Sequence, residues 1–386
     1  MFVFENIQGA ANTYKSRVLA RTRKQSHIVS LTGTFVVPIL SFICVQGLPH
    51  RCMLFVILPA ARSCWQYPTR PIKNRRPLPA TNLRFLSAVM FDGRETLKTL
   101  NDPSSFESNL EFDLAHQALD ATLGHAQATT APTQQQLQEI VNFELSTYTA
   151  QIVDNSAGQL TAQGADGGPS YLSSVQYYPG INDSLGATFN PNVFTLFTSW
   201  ENLMSNNPFA LGRASVARGE KIFNSAPLMI QNVKGLNDVL GMSTIVGTCS
   251  TCHDAPNVGD HSLSLPLDIG ISDVPTNSQD SLATALGELN LPLTPVYKLT
   301  CSTSLGAPSN MSIETTDPGR ALITGLCADI GKFKGPVLRG LAGHAPYFQN
   351  GAADTLDQVV AFYNQRFQMG LTANEMADLV NFLKSL

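Results

Sequence analysis

The chain has 386 residues, enough for two ordinary domains, and its 43% hydrophobic against 14% charged residues exclude a disordered polymer. A net charge of −4 is too small to draw nucleic acid or any strongly charged partner. Seven cysteines over this length do not make a disulfide-dense scaffold.

Residues 1–76 are basic and apolar by turns. Lys15, Arg17, Arg21, Arg23 and Lys24 precede residues 27–48, which hold no Asp, Glu, Lys or Arg. This is the layout of an export signal or a membrane anchor, with 35–45 as the densest apolar core and Pro59-Ala60-Ala61 as a loose match to a cleavage site. Two other readings stay open. One is a buried helix, which Gly47 and Pro49 would interrupt; the other is a misread gene start or frame change.

Thr133-x-x-Gln136 is a capping-box pattern ahead of Leu137, Ile140, Val141 and Leu145, and predicts an amphipathic helix over 133–153. Residues 154–192, rich in Gly, Ser, Asn and Pro, read as loop, and 214–223 as a short helix. Residues 254–312 carry many Pro, Ser and Thr with little periodicity, which predicts a long excursion over the surface. Thr355-x-x-Gln358 opens a further helix through Val359, Val360 and Phe362. Thr372-x-x-Glu375 opens the last, with Met376, Leu379, Val380, Leu383 and Leu386 at core spacing. No alternating strand series and no internal repeat is visible, so the expected fold is mainly α.

Cys249-Ser250-Thr251-Cys252-His253 is the C-x-x-C-H pattern of covalent haem c attachment. Two thiols at this spacing add across the two vinyl groups of one porphyrin, and the adjacent imidazole then reaches the iron. A thiol redox pair would want a βαβ setting, and a zinc site a second ligand pair; the sequence shows neither. Gly219-Glu220-x-x-Phe223 before the motif and Leu379-Val380-x-Phe382-Leu383 at the end resemble the two crossing helices of cytochrome c-like domains, with 224–245 as an insertion.

Phe333-Lys334-Gly335-Pro336-Val337-Leu338-Arg339-Gly340, then Ala345-Pro346-Tyr347-Phe348-Gln349-Asn350-Gly351-Ala352-Ala353-Asp354-Thr355-Leu356, resembles the bacterial di-haem cytochrome c peroxidase family, including the subgroup similar to the methylamine dehydrogenase maturase. Phe91-Asp92-Gly93-Arg94-Glu95 is similar to that family's WDGRE segment, and the resemblance runs over roughly 77–386. It implies two cytochrome-like domains, each with its own C-x-x-C-H, where this sequence has one such motif. Residues 77–205 then read as the remainder of a first haem domain without its attachment motif, and 206–386 as the C-terminal cytochrome c-like domain. The resemblance implies electron transfer coupled to peroxide reduction. The departures favour a mono-haem electron-transfer protein without peroxidase activity, or an inactive fragment.

Phe91 stands where the family has Trp. Leu114-x-x-Gln117-Ala118-Leu119 aligns with a peroxide-pocket Gln, and the pocket's Glu then falls on Gln127, which cannot act as a carboxylate base. Glu111 is the rival by simple counting, and His116 and His125 read as surface or capping residues. Counting from Gly351 puts Tyr363 at the distal haem ligand, with Met369 and Met376 as rivals. In an exported protein Cys301 and Cys327 would pair; otherwise they are two buried thiols. The resemblance further implies calcium, a small donor such as a cytochrome or copper protein, and the periplasm.

Overall fold

The computed structural model describes residues 75–98, 102–183, 188–203, 208–274, 296–301 and 312–386, with short pieces at 16–18, 29–31, 42–44, 52–54, 186, 285–287 and 289. The export-signal reading of 27–48 lies largely outside the described residues. Among these, no helix is long and apolar enough to cross a membrane.

Among the described residues the fold is mainly helical, with small two-stranded sheets only. Its longer helices are α1 (Phe106–Asp120), α2 (Gln134–Ser146), α3 (Ala210–Ser225), α4 (Leu356–Arg366) and α5 (Ala373–Lys384). Two begin with reciprocal caps. Gln136 N donates to Thr133 Oγ1 at 3.2 Å while Thr133 N donates to Gln136 Oε1 at 2.9 Å, and Thr372 with Glu375 repeats the exchange at 3.4 and 2.8 Å. The cap on α4 is Thr355 Oγ1, accepting from Gln358 N at 3.3 Å.

Helix α2 stops at Ser146, short of the predicted 153. The reason is tertiary. Asn82 clamps Thr149 through both its amide oxygen and its amide nitrogen at 2.9 Å, and Asn82 N donates to Thr147 O at 2.9 Å. Those bonds hold 147–149 extended and replace what further helix would supply.

The segment after the Cys motif also departs from expectation. Asp254, Ala255, Val258, Asp260, Ser262, Asp268, Ile271 and Ser272 are all buried, so much of 254–272 is interior and not a surface excursion. Its polar residues satisfy one another there. Ser262 N and Oγ donate to Asp254 at 2.7 and 2.9 Å, and the same hydroxyl reaches Asp183 at 2.8 Å. A buried polar group that is hydrogen-bonded carries no surface signature in composition.

Helices α3 and α5 cross at Gly219. A Cβ there would lie 2.1 Å from Asp378 O and 2.6 Å from Phe382 Cβ, so the backbones touch because a side chain is missing. Arg218 grips Asp378 through Nε and Nη2 at 2.7 and 2.8 Å, beside Ser215 Oγ at 2.6 Å. Phe194, Phe223 and Phe382 pack edge to face below, with centroids 5.1, 5.4 and 5.8 Å apart. Phe197 and Trp200, from the irregular stretch before α3, complete that core with Leu379, Val380 and Leu383.

Glu220 is buried at this crossing and accepts from Phe197 N at 2.9 Å and Thr198 Oγ1 at 3.1 Å. Burial pushes its carboxyl up to about 7. The folded chain therefore holds this proton more tightly than the unfolded one, whose value is 4.5. Stability is greatest below the lower value and falls as pH rises through the interval. Urea midpoints taken at pH 5 and pH 8 should show this decline, and Glu220→Gln should flatten it; an equally steep decline in the variant would refute the assignment.

Strands β1 (Leu228–Ile230) and β2 (Ile245–Gly247) pair antiparallel in the stretch between α3 and the Cys motif. Strands β3 (Tyr297–Thr300) and β4 (Ser312–Thr315) pair likewise beside the Cys301–Cys327 disulfide. That bond has a sequence separation of 26 and sits in a cluster with Leu299, Ala321 and Ile330. Closing a loop of this size stabilises by roughly 3 kcal/mol through the unfolded chain. Cys327→Ala should lower the unfolding free energy by about that amount in denaturant titration, and an unchanged midpoint would show the bond to be energetically idle.

Candidate haem-attachment site

The Cys motif begins where β2 ends. Thr248 N donates to Thr251 Oγ1 at 3.0 Å, and Cys252 N and His253 N donate to Cys249 O at 3.3 and 3.0 Å. The result is a tight 3₁₀ turn, in which residues three apart eclipse, so Cys249 and Cys252 share one side. Both are free thiols. Burial pushes each up to about 12, helped at Cys249 by the neighbouring Cys252 and at Cys252 by Asp254.

His253 Nδ1 lies 2.7 Å from Gly259 O. A carbonyl only accepts, so Nδ1 carries the hydrogen and Nε2 keeps its lone pair. Burial lowers the imidazole's proton affinity and holds it neutral. The loop after His253 is built to present that carbonyl. Ala255 N donates to Asp260 O at 3.0 Å, Gly259 N to Ala255 O at 2.9 Å, and Leu338 N to Val258 O at 2.9 Å. Gly259 has φ +75°, and a Cβ on it would meet Leu338 Cβ and Phe194 Cζ at 2.9 Å each. Arg339 is buried and braces the loop from behind, donating to Asn257 O at 2.8 Å and Leu386 O at 3.1 Å.

Leu228, Ile230, Val233, Phe367 and Met369 form one buried apolar cluster, and Cys249 and Tyr363 pack against it. The Phe223 ring is 6.3 Å from that of His253. Tyr363 has Phe362 and Phe367 at 5.6 Å and Phe348 stacked at 6.4 Å. Burial raises its hydroxyl well above the usual range, with smaller contributions from Cys252 and Cys249, so the phenol is within electrostatic reach of both thiols. Met369 belongs to the same cluster. Met376 packs instead against the α3–α5 core, with its Sδ accepting from Asn364 Nδ2 at 3.4 Å.

The other predicted residues stand elsewhere. Phe91 is half-buried, and its carbonyl accepts from Lys334 N at 2.9 Å. Glu111 and Gln117 are half-buried on α1. Gln127 is exposed, in a left-handed turn at φ +51°, just past a π-helical turn at 121–125. His116 is more than a surface residue, since its Nδ1 lies 2.9 Å from Glu95 Oε2. Sequence reasoning missed Gly259 and Arg339. The available signal for Gly259 was a glycine six residues past His253, inside a stretch read as surface.

The donor set suits a haem c: two unbridged thiols on one side of a turn, a neutral imidazole with Nε2 unprotonated, and an apolar, aromatic wall. No family model matches the chain. Among curated proteins, it is similar to cytochrome-c peroxidase IdrP2 of Denitromonas iodatirespirans, 35% identical over 147 residues, which is 36% of this chain and 36% of that protein. It is also similar to IdrP2 of Pseudomonas sp. (strain SCT), 34% identical over 145 residues, which is 36% of this chain and 35% of that protein. A shorter match, 44% identical over 69 residues, links it to cytochrome-c peroxidase IdrP1 of D. iodatirespirans, over 15% of this chain and 18% of that protein. Over about a third of its length the chain is thus similar to cytochrome-c peroxidases. The matched stretch spans about a third of the length of the IdrP2 proteins. A solved structure of a MauG-like protein associated with microbial copper homeostasis aligns over 82% of this chain and 78% of that one, at 14% identity and a TM-score of 0.37.

Proposed function

We propose that Cys249 and Cys252 would hold one haem c, that His253 Nε2 and Tyr363 would be the protein donors to its iron, and that the chain moves single electrons in the service of peroxide reduction. The hydrogen bond from His253 Nδ1 to Gly259 O, inside a C-x-x-C-H turn, carries this reading. A bound haem supplies a one-electron centre whose potential depends on its axial ligands and their surroundings. The Gly259 carbonyl draws on the Nδ1 hydrogen, which fixes the ring's orientation and makes Nε2 the better donor. The Phe367, Met369 and Ile230 wall keeps water away and so reduces the reorganisation that accompanies a change of charge. In this reading residues 206–386 are the cytochrome c-like unit, and Glu111 or Gln127 attends to peroxide. Calcium, a small cytochrome or copper-protein donor, and a periplasmic setting accompany it through the resemblance.

Tyr363→Phe tests the ligand. The ferric absorption spectrum should change in the variant while the haem stays attached; an unchanged spectrum would exclude Tyr363 and pass the role to Met369.

A second reading, electron transfer without peroxide turnover, is favoured by the exposure of Gln127. Hydrogen peroxide consumption with a reduced cytochrome or copper-protein donor decides between them. Turnover that falls in Glu111→Gln supports the peroxidase reading, and its absence with every donor supports the second.

A further inference from the structure

Helix α1 carries Asp113, His116 and Asp120 at positions i, i+3 and i+7, which share one helix face. Glu95 faces them from the irregular segment before the helix. The ligand atoms of Glu95, His116 and Asp120 all lie within 4.8 Å of one another. Glu95 is 6% exposed, Asp120 is open to solvent, and His116 lies between, its Nδ1 2.9 Å from Glu95 Oε2. The cluster is therefore anchored at the bottom and open at the top.

A second observation points the same way. Asp113 is fully buried, and its Oδ1 accepts from Leu97 N and Lys98 N at 3.0 and 3.2 Å, but its Oδ2 has no hydrogen-bond partner. Glu95 and His116 both lie within electrostatic reach of this carboxyl. A buried carboxylate oxygen left without a donor beside a second buried carboxylate is costly unless positive charge is brought to them.

We propose that Glu95, His116 and Asp120 bind a divalent transition-metal ion, with the buried Asp113 of the same helix face adding negative charge. One imidazole nitrogen with carboxylate oxygens is a borderline donor set, which suits Zn²⁺ or Mn²⁺ better than the all-oxygen preference of Ca²⁺ or Mg²⁺. The open side leaves room for water or an exchangeable ligand. The site uses none of the residues at the haem motif, so it stands or falls independently of that reading.

The test is isothermal titration of ZnCl₂ into the full chain, purified without a polyhistidine tag and stripped with chelator. One saturable equivalent is expected, weakened at least tenfold by Asp120→Asn and by His116→Gln. Asp120 is exposed, so its variant leaves the fold intact, which matched circular dichroism will check. Absence of a saturable site, or a site that Asp120→Asn leaves within twofold of the parent, would reduce the cluster to a Glu95–His116 hydrogen bond and overturn the proposal.

Discussion

Gly219→Ala is expected to destabilise the protein by about 3 kcal/mol, the upper end of what overpacking a core costs. The added methyl has nowhere to go. Its nearest neighbours are Asp378 O at 2.1 Å and Phe382 Cβ at 2.6 Å, and one is backbone while the other is the root of a fully buried ring. Relief requires α3 and α5 to separate. Separation would loosen the edge-to-face contacts of Phe194, Phe223 and Phe382, and would pull Asp378 from Arg218 and Ser215. The exposed Arg218 pair contributes little by itself. The loss lies in packing, so it should persist at high salt. Urea denaturation at low and high ionic strength measures both points, and a loss below 1 kcal/mol would mean that the crossing tolerates separation.

Replacing Cys249 and Cys252 together by Ala should remove covalent haem completely. Both thiols that would form the thioether bonds go, and the remaining donors, His253 Nε2 and Tyr363, can offer only coordinate bonds, which denaturation breaks. The substitution should spare the fold, because the turn rests on backbone bonds from Cys252 N and His253 N to Cys249 O and on the Thr248–Thr251 bond, none of which uses a thiol. A denaturing gel stained for haem peroxidase activity should show a band for the parent and none for the double variant. Circular dichroism of the two should retain the same helical signal. Retained staining would place attachment elsewhere in the chain.

How much of this was legible in the sequence follows physical lines. The capping boxes at Thr133 and Thr372 and the apolar spacing of Leu379, Val380 and Leu383 gave helix starts and faces directly, because cap and period are local properties. The C-x-x-C-H spacing was local too. The early end of α2 was not, since Asn82 reaches it across more than sixty positions of chain. The interior course of 254–272 was hidden for a related reason. Asp254 and Ser262 look polar in sequence, and only their mutual hydrogen bonds make burial affordable. Gly259 shows the limit most plainly. Its role is to offer a carbonyl, and a backbone atom leaves no trace in residue chemistry. Phe194, Phe197 and Trp200 were missed as core because they come from irregular chain without a period to read. From sequence His116 reads as a surface or capping residue, since its partner Glu95 lies outside the helix that carries it.

The central claim is that this chain carries one haem, bound through the Cys249–His253 turn. Intact mass spectrometry of the full protein, produced alongside a c-haem maturation system and denatured before injection, tests it most directly. The account predicts the mass of the polypeptide plus one haem, surviving denaturation because the bonds are covalent. The mass of the bare polypeptide would contradict it.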